Sequence, residues 1–102
     1  MTLEKVKEFA LQRKVIWSQH VATRMMERGI ERGDVLNCIR FGEMIEDYPT
    51  DFPNPSCLIF GYSLGGKVLH VVAGCDENQA FIITAYYPNT QKFCDDLKTR
   101  RK

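Results

Sequence analysis

The segment Gly42-Glu-Met-Ile-Glu-Asp-Tyr48 decides the fold, because the hydrophobic period changes there. Before it, apolar residues recur every three or four positions, as on one side of a helix. From Glu43 onward the spacing moves toward two, as on a strand. Gly42 ends the last helical stretch, and Met44, Ile45 and Tyr48 mark a first strand over 43–48. Working back, residues 31–41 carry Val35, Leu36 and Ile39 on one side of a helix. Residues 18–28 form another, with Ser18 as N-cap and Gly29 in the left-handed position that stops it. Residues 3–13 place Leu3, Val6, Phe9 and Ala10 in one apolar stripe. Val15, Ile16 and Trp17 read as a short apolar link, with Trp17 packing back on the following helix like a hydrophobic staple.

Working forward, Pro49, Pro53 and Pro55 remove donors and fix φ, so 49–55 is a rigid loop. Cys57–Tyr62 is a second strand, Leu64-Gly65-Gly66 a hairpin turn, Lys67–Gly74 a third strand. Asp76-Glu77-Asn78 turns the chain again, and Ala80–Tyr87 is a fourth strand stopped by Pro88-Asn89. Gln91–Thr99 is expected to form a terminal helix around Phe93 and Leu97. Short connections favour antiparallel neighbours. The expected fold is therefore α+β: N-terminal helices packed on a four-stranded antiparallel sheet, with a short C-terminal helix, as a single domain over 1–102. Strands three and four are apolar on alternate and intervening positions alike, so both sheet faces should be partly covered.

The chain has 102 residues, 44% hydrophobic and 26% charged, which is ordinary for a globular domain. No apolar run reaches the ~20 residues of a membrane helix, and no signal-peptide core opens the sequence. A cytoplasmic protein without membrane contact is expected. Cys38, Cys57, Cys75 and Cys94 lack the close pairing of a zinc knuckle and read as reduced structural thiols. No metal or cofactor is expected. The net charge of +1 hides an asymmetry: Arg13, Lys14, Arg24, Arg28, Arg32 and Arg40 crowd the helical half, Glu43, Glu46, Asp47 and Asp51 make the middle acidic, and Lys98, Arg100, Arg101 and Lys102 close the chain.

Within the second helix His20, Arg24 and Arg28 fall at i, i+4 and i+8, along one face. The bland reading is a solvated charged surface. The sharper one is an anion site: the first turn of a helix favours a negative ligand and a neutral His20 able to act as base. Arg24 and Arg28 offer planar forks for phosphate oxygens, or could pair with acids of the strand region. His70 lies in a strand, within Leu69-His-Val-Val72. Its bland reading is a partly buried ring with both nitrogens satisfied. A two- or four-residue turn puts Ala85 opposite it, and a three-residue loop puts Thr84 there with Tyr86 diagonal. Tyr48, Tyr86 and Tyr87 read first as sheet packing with the hydroxyl at the rim. Two His, two Arg and a Tyr are also parts for metal-free RNA cleavage, which needs a base, an acid and cations on the phosphate.

The run His20-Val-Ala-Thr-Arg24-Met25-Met-Glu-Arg28-Gly29-Ile30 resembles the H-x-x-x-R-M-x-x-R-G-I signature of the domain-of-unknown-function family 4258. Gly42–Pro49, Pro55–Leu58, Leu69-His70-Val-Val72 and Ile83-Thr-Ala-Tyr86-Tyr-Pro88 are similar to that family in order and spacing, over about residues 15–90. The resemblance implies a RelE-like fold, and a metal-independent endoribonuclease of a toxin–antitoxin pair acting on mRNA, often on the ribosome. A zinc-finger, helix-turn-helix antitoxin would be the partner. By that analogy His20, His70 and Tyr86 would be catalytic, and Arg24 and Arg28 would bind phosphate. The alternative is a non-catalytic binding module. Its His/Arg motif would be structural, with Arg24 and Arg28 bridging to Glu46 and Asp47, or the protein would dock a partner through Glu46–Asp51 or the basic tail.

Overall fold

The computed structural model describes residues 2–101. In chain order they form α1 (Thr2–Leu11), β1 (Val15–Trp17), α2 (Gln19–Arg28), α3 (Arg32–Phe41), β2 (Glu43–Tyr48), β3 (Ser56–Tyr62), β4 (Val68–Cys75) and β5 (Ala80–Tyr86). The strands make one sheet in the order β1-β5-β4-β3-β2, with β1 parallel to β5 and the rest antiparallel. The sheet is thus five-stranded and mixed, and not the four antiparallel strands expected. Val15–Trp17 is too short to display a period, and its partner lies 65 positions away at Ala80–Ile82. No hairpin signal could reveal it. Trp17 packs against the core that holds Val21 and Met25 of α2, and the Arg32 guanidinium lies over its ring, 5.2 Å from the centroid.

The second helix begins and ends as its sequence dictates. Ser18 sits at φ −68°, ψ 159°, and its Oγ accepts from the Val21 N–H at 3.2 Å. Gly29 is left-handed at φ 69°, and the Ile30 N–H donates back to Met25 O at 2.8 Å. Ser18→Ala should therefore cost about 1 kcal/mol, seen as a Tm lower by about 4–8 °C; a melt indistinguishable from wild type would refute the cap's contribution. The third helix is tied to the sheet through Asp34. Its carboxylate accepts from the N–H groups of Glu31 and, across the β3–β4 turn, Leu64, both at 2.9 Å.

All three helices lie on one face. α3 rests on β3 and β4, α2 on β5, and α1 on α3 and β4. Val6, Val21, Met25, Val35, Cys38 and Ile39 pack there against Cys57, Ile59, Leu69, Val71, Ala73, Ile82 and Ala85. Cys38, Cys57 and Cys75 are buried, Cys94 is half-buried, and all four thiols are free. Burial pushes the Cys38 thiol up to about 12, so it behaves as a small apolar group. No helix among the described residues is long and apolar enough to cross a membrane.

The other face carries Leu58, Phe60 and His70, all buried, beneath residues 89–101. The expected C-terminal helix is absent. Asn89 Oδ1 accepts from the Gln91 and Lys92 amides, and Asp96 Oδ1 from those of Lys98 and Thr99. These local bonds take the backbone donors that a helix would use. Leu97 sits at φ 58°, and the segment folds back so that Phe93 bridges to Arg100. Phe93 is 1% exposed and fills the space over the sheet, which is how the second face is covered.

An irregularity in β5 sets the partner of His70. Cys75 pairs with Ala80 and Ala73 with Ile82, but Val72 pairs with Thr84. Ile83 is extra, a β-bulge that advances the register by one. His70 consequently faces Tyr86 directly, and neither Ala85 nor Thr84. The four-residue turn alone would have given Ala85.

Candidate functional site

His70 projects from β4 into the face away from the helices and is fully buried. Its Nε2 lies 2.7 Å from the Leu97 carbonyl oxygen and its Nδ1 3.2 Å from the Tyr86 hydroxyl. A carbonyl can only accept, so Nε2 carries the hydrogen. The Nδ1 lone pair is then free to accept from the Tyr86 O–H. Phe93 stands at 90° to the imidazole with centroids 4.7 Å apart, and Phe60 edges it at 6.0 Å. Burial lowers the His70 pKa, against the raising effects of the Leu97 carbonyl and Glu46. Burial likewise raises that of Tyr86. The resting pair is a neutral imidazole and a neutral phenol.

Glu46 on β2 is the carboxylate whose charge acts on both groups. It accepts from the Tyr48 hydroxyl and from Arg100 Nε, the latter at 2.7 Å. Burial pushes the Glu46 pKa up, but those two hydrogen bonds outweigh it and hold the group below its ordinary value. Arg100 also stacks on Phe93 at 4.9 Å. Further along β2, Glu43 meets Lys98 Nζ at 2.6 Å. Among the described residues no buried side-chain nitrogen or oxygen lacks a hydrogen-bond partner.

Beside His70 a cleft of about 370 Å³ opens between the end of α2, the end of β5 and the tail. Arg28, Lys92 and Arg100 line it together with Thr84, Tyr86 and Tyr87. Arg28 occupies the last turn of α2, where a cation suits the helix dipole. Its Nη1 donates to the Ala85 carbonyl at 2.8 Å and approaches Thr84 Oγ1 at 3.4 Å. A larger cavity of about 640 Å³ lies against α1 and the β4–β5 turn, lined by Lys5, Asn54, Asp76 and Glu77 among others. It contains none of the residues singled out from sequence. Among the described residues no three His, Cys, Asp or Glu side chains gather as metal ligands would.

The five residues read from sequence are therefore divided. Arg28 and Tyr86 line the cleft, and His70 stands buried behind it, bonded to the Tyr86 hydroxyl. His20 and Arg24 do not line it: both are exposed on α2, and Arg24 pairs with Glu27 at 3.5 Å. His20 stands eight residues from Arg28, about 12 Å along the helix axis. The bridges from Arg24 and Arg28 to Glu46 and Asp47 do not form either. Arg100 takes Glu46, and Arg28 takes a backbone carbonyl. Lys92 and Arg100 were legible only as charges in a terminal stretch, and only the chain's fold-back brings them beside Tyr86.

A helix-backed mixed sheet, with a histidine–tyrosine pair and a cationic cleft on its other side, defines an α+β protein with a polar site at the end of its central strands. Residues 17–87 match the family described as Domain of unknown function (DUF4258), and since that is more than half of the chain, the chain belongs to this family. No curated protein and no solved structure shows significant similarity to it.

Proposed function

We propose that the chain is a metal-independent endoribonuclease of the toxin type, with a RelE-like arrangement of its parts. The observation that carries this reading is the cationic cleft over Tyr86, whose hydroxyl is bonded to His70. A phosphodiester in the cleft would meet Arg28, Lys92 and Arg100, cations suited to the charge of a pentacoordinate phosphorus. Tyr86 would take the proton of the 2′-hydroxyl while passing its own to His70 Nδ1. The 2′-oxygen attacks phosphorus, the bond to the 5′-oxygen breaks, and the Lys92 ammonium supplies that oxygen with a proton. The products are a 2′,3′-cyclic phosphate and a 5′-hydroxyl. Glu46 favours the imidazolium formed on the way. His20 and Arg24 would then serve an adjoining stretch of RNA along α2, and not the reacting phosphate.

The test is cleavage of RNA in EDTA, on naked RNA and on translating ribosomes, with growth arrest on expression. Tyr86→Phe should slow cleavage roughly 10²–10⁴-fold. If wild type and Tyr86→Phe are equally inert on both substrates and equally harmless, the reading is lost. Partnership with a zinc-finger, helix-turn-helix antitoxin goes with this proposal, and relief of arrest by the co-expressed neighbouring gene would support it.

A second reading has its own observation. His70 is buried with both ring nitrogens bonded, which is how a structural histidine looks. On that reading the chain is a non-catalytic binding module and Arg28 fastens α2 to β5. Arg28→Ala would then lower the melting temperature without altering any RNA cleavage.

A further inference from the structure

The segment that seals His70 is held by very little. Residues 89–101 form no helix or strand, only the single bridge between Phe93 and Arg100. Phe93 is its one fully buried side chain. Its ion pairs to the sheet are Lys98–Glu43 and Arg100–Glu46, whose cationic side chains are each about half exposed. Contacts of that kind are weakened by water and by salt. The side chains of Asn89 and Asp96 serve turns within the segment itself. What lies beneath is mixed: the polar groups His70, Tyr86 and Glu46 with Tyr48 stand beside Leu58 and Phe60, and Lys98 Nζ sits 4.7 Å from the Phe60 ring centroid. The segment completes that set by supplying the Leu97 carbonyl and the Arg100 guanidinium. While this cover is in place the imidazole has no solvent-accessible surface.

Lys92, Lys98, Arg100 and Arg101 all belong to the same short segment. Two of these cations are held by carboxylates of the sheet, and phosphate oxygens compete for the same donors. We propose that residues 89–101 are a detachable strap, released when a phosphodiester chain draws Lys98 and Arg100 away from Glu43 and Glu46; direct access to His70 exists only in the released state, whereas the cleavage step above belongs to the docked one, in which Tyr86 relays the proton. The ligand class rests on the reading of the cleft as an RNA site, whereas the weakness of the strap's attachment does not.

Two measurements on the full chain test this. Diethyl pyrocarbonate modification, read by mass spectrometry, compares buried His70 with exposed His20 as internal reference. In Lys98→Ala/Arg100→Ala and, separately, in Phe93→Ala, His70 should react at least about tenfold faster than in wild type, with circular dichroism unchanged. Protection equal to wild type in both variants overturns the strap. Hydrogen exchange of residues 89–101 is then followed with a labelled oligouridylate, whose binding is read independently by anisotropy. Faster exchange in the bound state supports release. Bound RNA with unchanged or slower exchange overturns release and leaves the RNA reading standing. Failure of the oligonucleotide to bind overturns both the RNA reading and the release step, while the variants still decide whether the cover detaches.

Discussion

Replacing Gly61 with alanine should lower the melting temperature by roughly 12–24 °C, the equivalent of about 3 kcal/mol in a domain of this size. α3 approaches the sheet so closely that a Cβ at Gly61 would meet the Cys38 carbonyl at 2.6 Å, its Sγ at 2.8 Å and its Cα at 2.9 Å. A Cβ at Gly42 would strike the same carbonyl, and Phe60 O at 2.7 Å as well. Two glycines far apart in sequence thus share one reason: the backbone of Cys38 occupies the space a methyl would need. Cys38 cannot retreat. It is fully buried, and its thiol donates to the Leu69 carbonyl at 3.3 Å. Gly65→Ala is the control, because the nearest atom to its added Cβ is Ser63 Oγ at 3.8 Å. A Gly61→Ala melt no lower than that of Gly65→Ala would show that α3 does not approach this closely.

Acidification should destabilise the protein through His70, and His70→Phe should abolish that dependence. Burial depresses the folded-state pKa of His70 below its ordinary value near 6.5. Below about pH 6.5 the unfolded chain therefore binds a proton that the folded chain refuses, and stability falls as pH falls. Above that pH the contribution is fully present. The slope is at most about 1.4 kcal/mol per pH unit for one proton. Glu46 titrates in a separate window: its pKa is lowered, so its contribution is present above about pH 4.3 and is lost only in stronger acid. His70→Phe also leaves the Tyr86 hydroxyl and the Leu97 carbonyl without their partner, at about 1–3 kcal/mol each. The expected pattern is a lower melting point at pH 7.5 than wild type and a flatter profile from pH 7 to 5. A variant as steep as wild type would place the titrating group elsewhere.

How much of the fold and the site is legible in the residues depends on the range over which each signal acts. Ser18 and Gly29 bound α2 because caps act within a few residues. The three long hairpin-connected strands declare themselves for the same reason, while β1 does not, being three residues paired across 65 positions. The terminal stretch misleads because Phe93 and Leu97 show a helical spacing that Asn89 and Asp96 override through turn bonds. Arg28, His70 and Tyr86 can be found as residue types with local context. Lys92 and Arg100 cannot, since their roles exist only after the tail folds back. The Tyr86–His70 pairing escapes the turn-length argument by one residue because a bulge has no local signature in Ile83 itself.

The parallel pairing of β1 with β5 also sets the timing of synthesis. Trp17 leaves the ribosome long before Ile82, and at about 5–20 residues per second the wait is on the order of 3–13 s. During it α1, α2 and α3 can form locally, but the sheet that buries Val21, Met25, Val35 and Ile39 is incomplete. The nascent chain thus carries an uncovered apolar face until β5 is made, and the long-range contacts of β1 and α2 arrive together at that point. A circular permutant that begins at β4 would shorten that exposure.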